Sequence, residues 1–262
     1  FLTFFNSDKP ILFPDITYSF YDVWAELFRI PYKQMPLDEN FRLKIDDYKG
    51  ENGGIVFPNP NAPTGIYESL DHVEEIIKNN PDVIVIVDEA YIDFGGETAL
   101  PLIDKYDNLV VVRTFSKSRS MAGLRIGYAI SNPELIKALN DVKYSYNSYT
   151  MNRPSLVLGV ESIHDDAYFR EKVGQIIATR ERFVKEIAEL GFTCLPSSAN
   201  FVFATHESIP AKEIFAAAKE NNIYVRYFDK PRIDNYLRIS IGTDAEMDVF
   251  VSFLSKYVKE YK

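Results

Sequence analysis

Residues 83–91 read VIVIVDEAY, and the first five of them decide the fold. A strand with one face in water alternates apolar and polar residues. An unbroken β-branched run is instead buried on both faces, as in parallel sheets covered by helices. Four further runs share this character: ILF (11–13), GGIVF (53–57), LVVVRT (109–114) and RIGYAI (125–130). Between them, TYSFYDVWAELF (17–28) and SLDHVEEIIKNN (69–80) carry apolar residues at helical spacing, and Asn79-Asn80-Pro81 stops the second. This alternation predicts an α/β fold with a mostly parallel central sheet and flanking helices. Ligands of such sheets bind beyond the carboxyl ends of the strands.

The second half reads differently. A long helical pattern from about Tyr168 to Leu190 ends at Gly191, followed by strand-like NFVFAT (200–205), a helix near Ala211–Asn221, strand-like IYVRYF (223–228) and LRISIG (237–242), and a last helix from Asp244. The expectation is a large domain over 1–147 and a smaller C-terminal α+β domain over 148–262, joined near Tyr144 to Pro154. No internal repeat is visible.

Composition narrows the function classes. With 262 residues the chain buries a large core. A net charge of -9 argues against broad nucleic-acid binding, which needs a basic surface. Cys194 is the single cysteine, and His72, His164 and His206 are scattered, so neither an intrachain disulfide nor a Cys/His metal cluster is expected, and a cytoplasmic setting follows. FLTFF (1–5) is too short for a membrane span, and no membrane partner is expected. It reads as an apolar cluster needing cover, from which we expect the natural chain to continue upstream of Phe1.

The chemistry sits in the residues immediately after the strands. After GGIVF comes PNPNAPTG (58–65), after VIVIV comes Asp88-Glu89-Ala90-Tyr91, and LVVV runs into Arg113, Ser116, Lys117 and Ser118. Singly, these read as a turn, a helix N-cap and a solvated lysine. Together they place an amine, a carboxylate, a phenol, hydroxyls and a guanidinium at neighbouring strand ends. Pyridoxal phosphate requires that set: a lysine for its aldehyde, a carboxylate to keep its ring nitrogen protonated, a donor to its ring oxygen, and hydroxyls with an arginine fork for its phosphate. Asp88 suits the nitrogen, Lys117 the aldehyde and Tyr91 the ring oxygen. Arg125 follows Lys117 by eight residues and borders the next strand.

NPNAPTG (59–65), VDEAYIDF (87–94), RTFSKSRSMAGLRIGYAI (113–130) and NYLRISIGT (235–243), in this order and spacing, resemble the fold-type I pyridoxal-phosphate aminotransferases, and within that family their histidinol-phosphate branch. The resemblance implies that Lys117 is the cofactor-bonding lysine and catalytic base, with Asp88, Tyr91, Ser116 and Arg125 as cofactor ligands. It further implies that Tyr18 stacks on the cofactor ring and that Arg226 and Arg238 bind the substrate's phosphate or carboxylate. Ala62 stands where many relatives carry the asparagine that meets the ring oxygen, and Asn61 is the expected substitute. The implied substrates are histidinol phosphate or imidazole acetol phosphate with glutamate or 2-oxoglutarate, in histidine biosynthesis, and the implied assembly is a homodimer. Relatives begin with an arm and a phosphate-binding segment upstream of the position of Phe1. A threonine-phosphate decarboxylase-like lyase, an aromatic-amino-acid aminotransferase and a catalytically silent relative are the competing readings.

Overall fold

Each of the five apolar runs becomes a strand of one sheet. The computed structural model describes residues 1–261. In chain order its first half comprises β1 (Ile11–Pro14), α1 (Tyr21–Phe28), β2 (Tyr32–Met35), β3 (Ile55–Pro58), α2 (Leu70–Lys78), β4 (Val85–Asp88), β5 (Leu109–Thr114) and β6 (Gly127–Ile130). The strands are ordered β2-β1-β3-β4-β5-β6, parallel throughout except for β6, which returns antiparallel to β5.

The β4 run shows why its residues are all apolar. Val85 and Val87 enter one core with Ile55, Phe57, Leu109 and Val111, covered by Val73, Ile76 and Ile77 of α2. Ile86 points the other way, into a core with Val56, Val110, Ile11 and Phe13, covered by Tyr21 and Ala25 of α1. Each such burial contributes roughly 1.5–3 kcal/mol relative to exposure. The stop after α2 is built from side chains: Asn80 donates to the carbonyls of Ile76 and Tyr48, and its own oxygen accepts from Asn52.

The FLTFF cluster finds partial cover within the described chain, with Leu2 left 49% exposed. Phe5 is buried in the α1-side core, and Phe1 lies edge-on to both Phe5 and Trp24. Gly54, at φ +135°, admits the Phe5 ring where a Cβ would lie only 2.4 Å away.

The remaining elements are α3 (Pro133–Tyr146), α4 (Arg153–His164), α5 (Asp166–Ala188), β7 (Phe192–Cys194), β8 (Phe201–His206), α6 (Ala211–Glu220), β9 (Arg226–Tyr227), β10 (Leu237–Ser240) and α7 (Asp244–Tyr261). The second sheet, ordered β7-β8-β10-β9, is antiparallel. Its core joins Val202 and Ile239 to Phe183 and Ile187 of α5, Ile214 of α6, and Phe250 and Leu254 of α7. Arg180 of α5 is buried and donates to the carbonyls of Phe94 and Ala199, at 2.9 and 2.8 Å, tying the segment after β4 to the approach to β8. Among the described residues no helix is long and apolar enough to cross a membrane.

Candidate active site

The parallel register sets Pro58, Asp88 and Val112 side by side, so β3 and β4 end level, β5 runs on to Thr114, and their following loops share one edge. The ladder continues one step beyond, with Asn59 N–H donating to Asp88 O and Glu89 N–H to Val112 O. Whatever the loops carry is therefore registered by backbone bonds.

Asp88 closes β4. Its Oδ2 accepts from the Tyr21 phenol at 3.0 Å, and its Oδ1 from Ala90 N–H at 3.1 Å. Burial raises its pKa above the usual carboxylate range, while these two hydrogen bonds and the positive charge of Lys117 pull it back down. It does not cap a helix: the 3-10 turn after β4 spans Ile92–Phe94 and begins at Tyr91 without a side-chain cap.

Lys117 stands three residues beyond β5, half-buried, with Nζ 5.1 Å from the centroid of the Tyr91 ring. No carboxylate oxygen lies within 4 Å of this amine among the described residues, which leaves it free to meet a carbonyl. Tyr91 is buried and lies edge-on to Phe201 of β8 at 5.1 Å. Arg238 of β10 lies 5.3 Å from the same Phe201 ring. One run of contacts thus connects Lys117, Tyr91, Phe201 and Arg238 across the two sheets.

Arg226 and Arg238 are direct cross-strand partners in β9 and β10. Arg226 is exposed, over Phe228 at 5.5 Å. Like charges opposite one another destabilise a sheet, and among the described residues no carboxylate lies within 4 Å of either guanidinium. Such a pair suits an anionic ligand.

Tyr18 lies in the turn just before α1 and is 43% exposed, its ring edge-on to Tyr21 at 5.7 Å and Trp24 at 5.9 Å. Ser116 keeps its hydroxyl against Thr114 Oγ1, 2.9 Å away. Arg125 is exposed and left-handed at φ 58°, donating to Ala122 O of its own turn, and this conformation starts β6 at Gly127, two residues later than the sequence pattern suggests. The position expected for Asn61 requires correction. Its amide donates to Ile16 O and Thr64 Oγ1 and accepts from Thr17 Oγ1. With both N–H groups engaged in bracing the loop, none remains for a ring oxygen.

Two contributors escaped the motif reading. Tyr21 is one; its only signal was the second tyrosine of TYSFY, three residues after Tyr18. The other is Glu89, a buried carboxylate that accepts from Arg113 Nε and Nη2 at 2.9 and 2.7 Å and from Thr98 and Ala99.

Known proteins resemble this chain in sequence and in fold. Residues 1–254 match the family described as aminotransferase class I and II. A histidinol-phosphate aminotransferase of Lactococcus lactis subsp. cremoris is 52% identical over 259 residues, covering 99% of this chain and 73% of that protein. One from Clostridium botulinum is 50% identical over 260 residues, with 99% and 73% covered. A crystal structure of the histidinol-phosphate aminotransferase from Sinorhizobium meliloti in complex with pyridoxal-5'-phosphate superposes with a TM-score of 0.87 over 98% of this chain and 72% of that one; at 23% identity this is a likeness of fold. Sheet order, motif placement and sequence likeness therefore converge: the chain belongs to the aminotransferase class I and II family.

Proposed function

We propose that the protein is a pyridoxal-phosphate-dependent aminotransferase that exchanges an amino group between histidinol phosphate and 2-oxoglutarate. The observation that carries this reading is Asp88 and Lys117 at the ends of adjacent parallel strands, the carboxylate held by two donors and the amine unpaired. The donor set fits the cofactor. Asp88 is the carboxylate for the ring nitrogen, Lys117 the amine for the aldehyde and Tyr91 the phenol for the ring oxygen. Tyr18 offers a partly exposed ring, stacked on Phe20, and Ser116 and Arg125 offer a hydroxyl and a guanidinium for the phosphate. Bound there, the cofactor supplies an electron sink for the charge left when a substrate C–H bond breaks.

The protein's own residues do the rest. Lys117 Nζ, when unprotonated, takes the proton from the amine-bearing carbon of the substrate and holds it for return. Asp88 keeps a negative charge beside the ring nitrogen and so favours its protonated form. Arg226 and Arg238 take the phosphate of one substrate and the carboxylate of the other, since a guanidinium fork accepts either. The Phe201 and Tyr91 rings form an apolar wall between Arg238 and Lys117 that keeps water from the reacting carbon.

Relatives about 50% identical and named histidinol-phosphate aminotransferases support this substrate pair over the lyase and aromatic readings. With the cofactor supplied, histidinol phosphate and 2-oxoglutarate should yield glutamate without carbon dioxide. Arg238→Ala should raise the KM for both substrates about tenfold or more, the loss of a charge-assisted hydrogen bond. Carbon dioxide release, or no glutamate, overturns the assignment.

A homodimer completes the proposal. On α4, small Ser155 and Gly159 face inward while Val157, Val160 and Ile163 stand 52%, 52% and 54% exposed. That inverted helix supports a second copy as its cover. Each sheet has a core of its own, which supports a division into domains at 1–147 and 148–262, with Phe41 and Phe203, and Phe94 and Phe201, packed in clusters that span the boundary.

A further inference from the structure

Tyr21 takes no part in the chemistry above, yet it makes the closest side-chain contact to Asp88. Its ring is 2% exposed and wedged between helix and sheet: edge-on to Phe13 of β1 at 5.9 Å and to Tyr18 at 5.7 Å, with Phe1 and Trp24 around the remainder. Its backbone N–H is tied to Tyr18 O at 3.3 Å. A phenol so fixed has one use for its hydroxyl, the 3.0 Å bond to Asp88 Oδ2.

The two oxygens of Asp88 are thus held from two directions, by a helix side chain at Oδ2 and by the backbone of the following turn at Oδ1. The charged and titratable groups around this pair are Tyr18 in the turn before α1, Glu89 on the next residue and Lys117 beyond β5. Tyr21 bonds to a carboxylate only as a donor, whereas a neutral carboxyl would offer its own proton and lose acceptor capacity.

We propose that Tyr21 is a positioning residue: by donating to Oδ2 it fixes the direction of the Asp88 carboxylate and preserves it as the acceptor for the cofactor's ring nitrogen. The purpose, though not the contact, rests on the cofactor reading above. Tyr21 acts through Asp88 and touches neither the reacting carbon nor Lys117.

The test is Tyr21→Phe, which keeps the ring and removes the hydroxyl. In ligand-free protein, carboxyl-carbon NMR follows the titration of Asp88, assigned by its disappearance in Asp88→Asn. The titration should move to higher pH in Tyr21→Phe, because a bond that favours the charged form is gone. Pyridoxal phosphate, measured by equilibrium absorbance, should bind the variant about tenfold more weakly, the worth of one hydrogen bond to a charged group. In an Asp88→Asn background the same substitution should have no further effect on cofactor affinity. An unmoved Asp88 titration overturns the proposal. So does an equal affinity loss in the Asp88→Asn background, which assigns Tyr21 to packing alone. Parent protein that binds no pyridoxal phosphate while Asp88 still shifts in Tyr21→Phe overturns the cofactor reading and leaves the Tyr21–Asp88 coupling standing.

Discussion

Asp88 is a carboxylate that the fold holds at a cost. Burial raises its folded pKa above the unfolded value of 3.8, so Asp88 contributes stability at pH below that value, where it is protonated in both states. The contribution is lost as pH rises through the folded pKa. At neutral pH the ligand-free protein therefore carries a disfavoured charge, which a protonated ring nitrogen would offset. Asp88→Asn should raise the melting temperature of ligand-free protein at pH 7.5, with the gain shrinking as pH falls through the Asp88 titration, while slowing turnover at least 100-fold. A parent more stable than Asp88→Asn at neutral pH would show that Tyr21 and Ala90 outweigh burial. The positions of Asp88, Tyr91 and Lys117 were legible in the sequence because each follows a strand that reads unmistakably as buried. Asn61 was not, because the partners of its amide include Ile16, 45 residues earlier, and no local pattern reports that contact.

At the scale of elements, the ends of β4 and β5 are braced by more than their ladder. Glu89 engages Arg113 through two guanidinium nitrogens and closes the segment 89–99 through Thr98 and Ala99. Glu89→Gln removes the charge from a pair whose carboxylate is fully buried and whose Arg113 is 18% exposed, and should destabilise the protein by about 3 kcal/mol, the cost of orphaning one partner. Urea unfolding measures it, and a loss below about 1 kcal/mol would mean that the brace carries little. The same scale explains which elements the sequence revealed. LVVVRT forms β5 over the expected residues because both its faces are covered. The edge strand β2, YKQM, leaves Lys33 and Gln34 exposed and has no apolar run to announce it. α3 buries none of its residues, and α4 turns its small residues inward and its large ones out, so neither displays the periodicity of a half-buried helix.

For the whole molecule, the two sheets meet through Arg238, Phe201, Tyr91 and Lys117, a run of contacts that links a guanidinium and an amine from positions far apart in sequence. That convergence could not be read from any single motif; the resemblance of four motifs in order suggested it. The inverted face of α4 bears on assembly. Val160→Glu, on a helix surface with no large buried side chain, should leave the fold intact and shift sedimentation from dimer to monomer; an unchanged dimer would exclude α4 from the interface. Lys117 is proposed as the amine that meets a bound aldehyde. Borohydride reduction of the protein mixed with pyridoxal phosphate, followed by peptide mass mapping, tests it directly. A pyridoxyl group is expected on Lys117, and its disappearance in Lys117→Ala; label on other lysines with Lys117 unmodified would contradict that role.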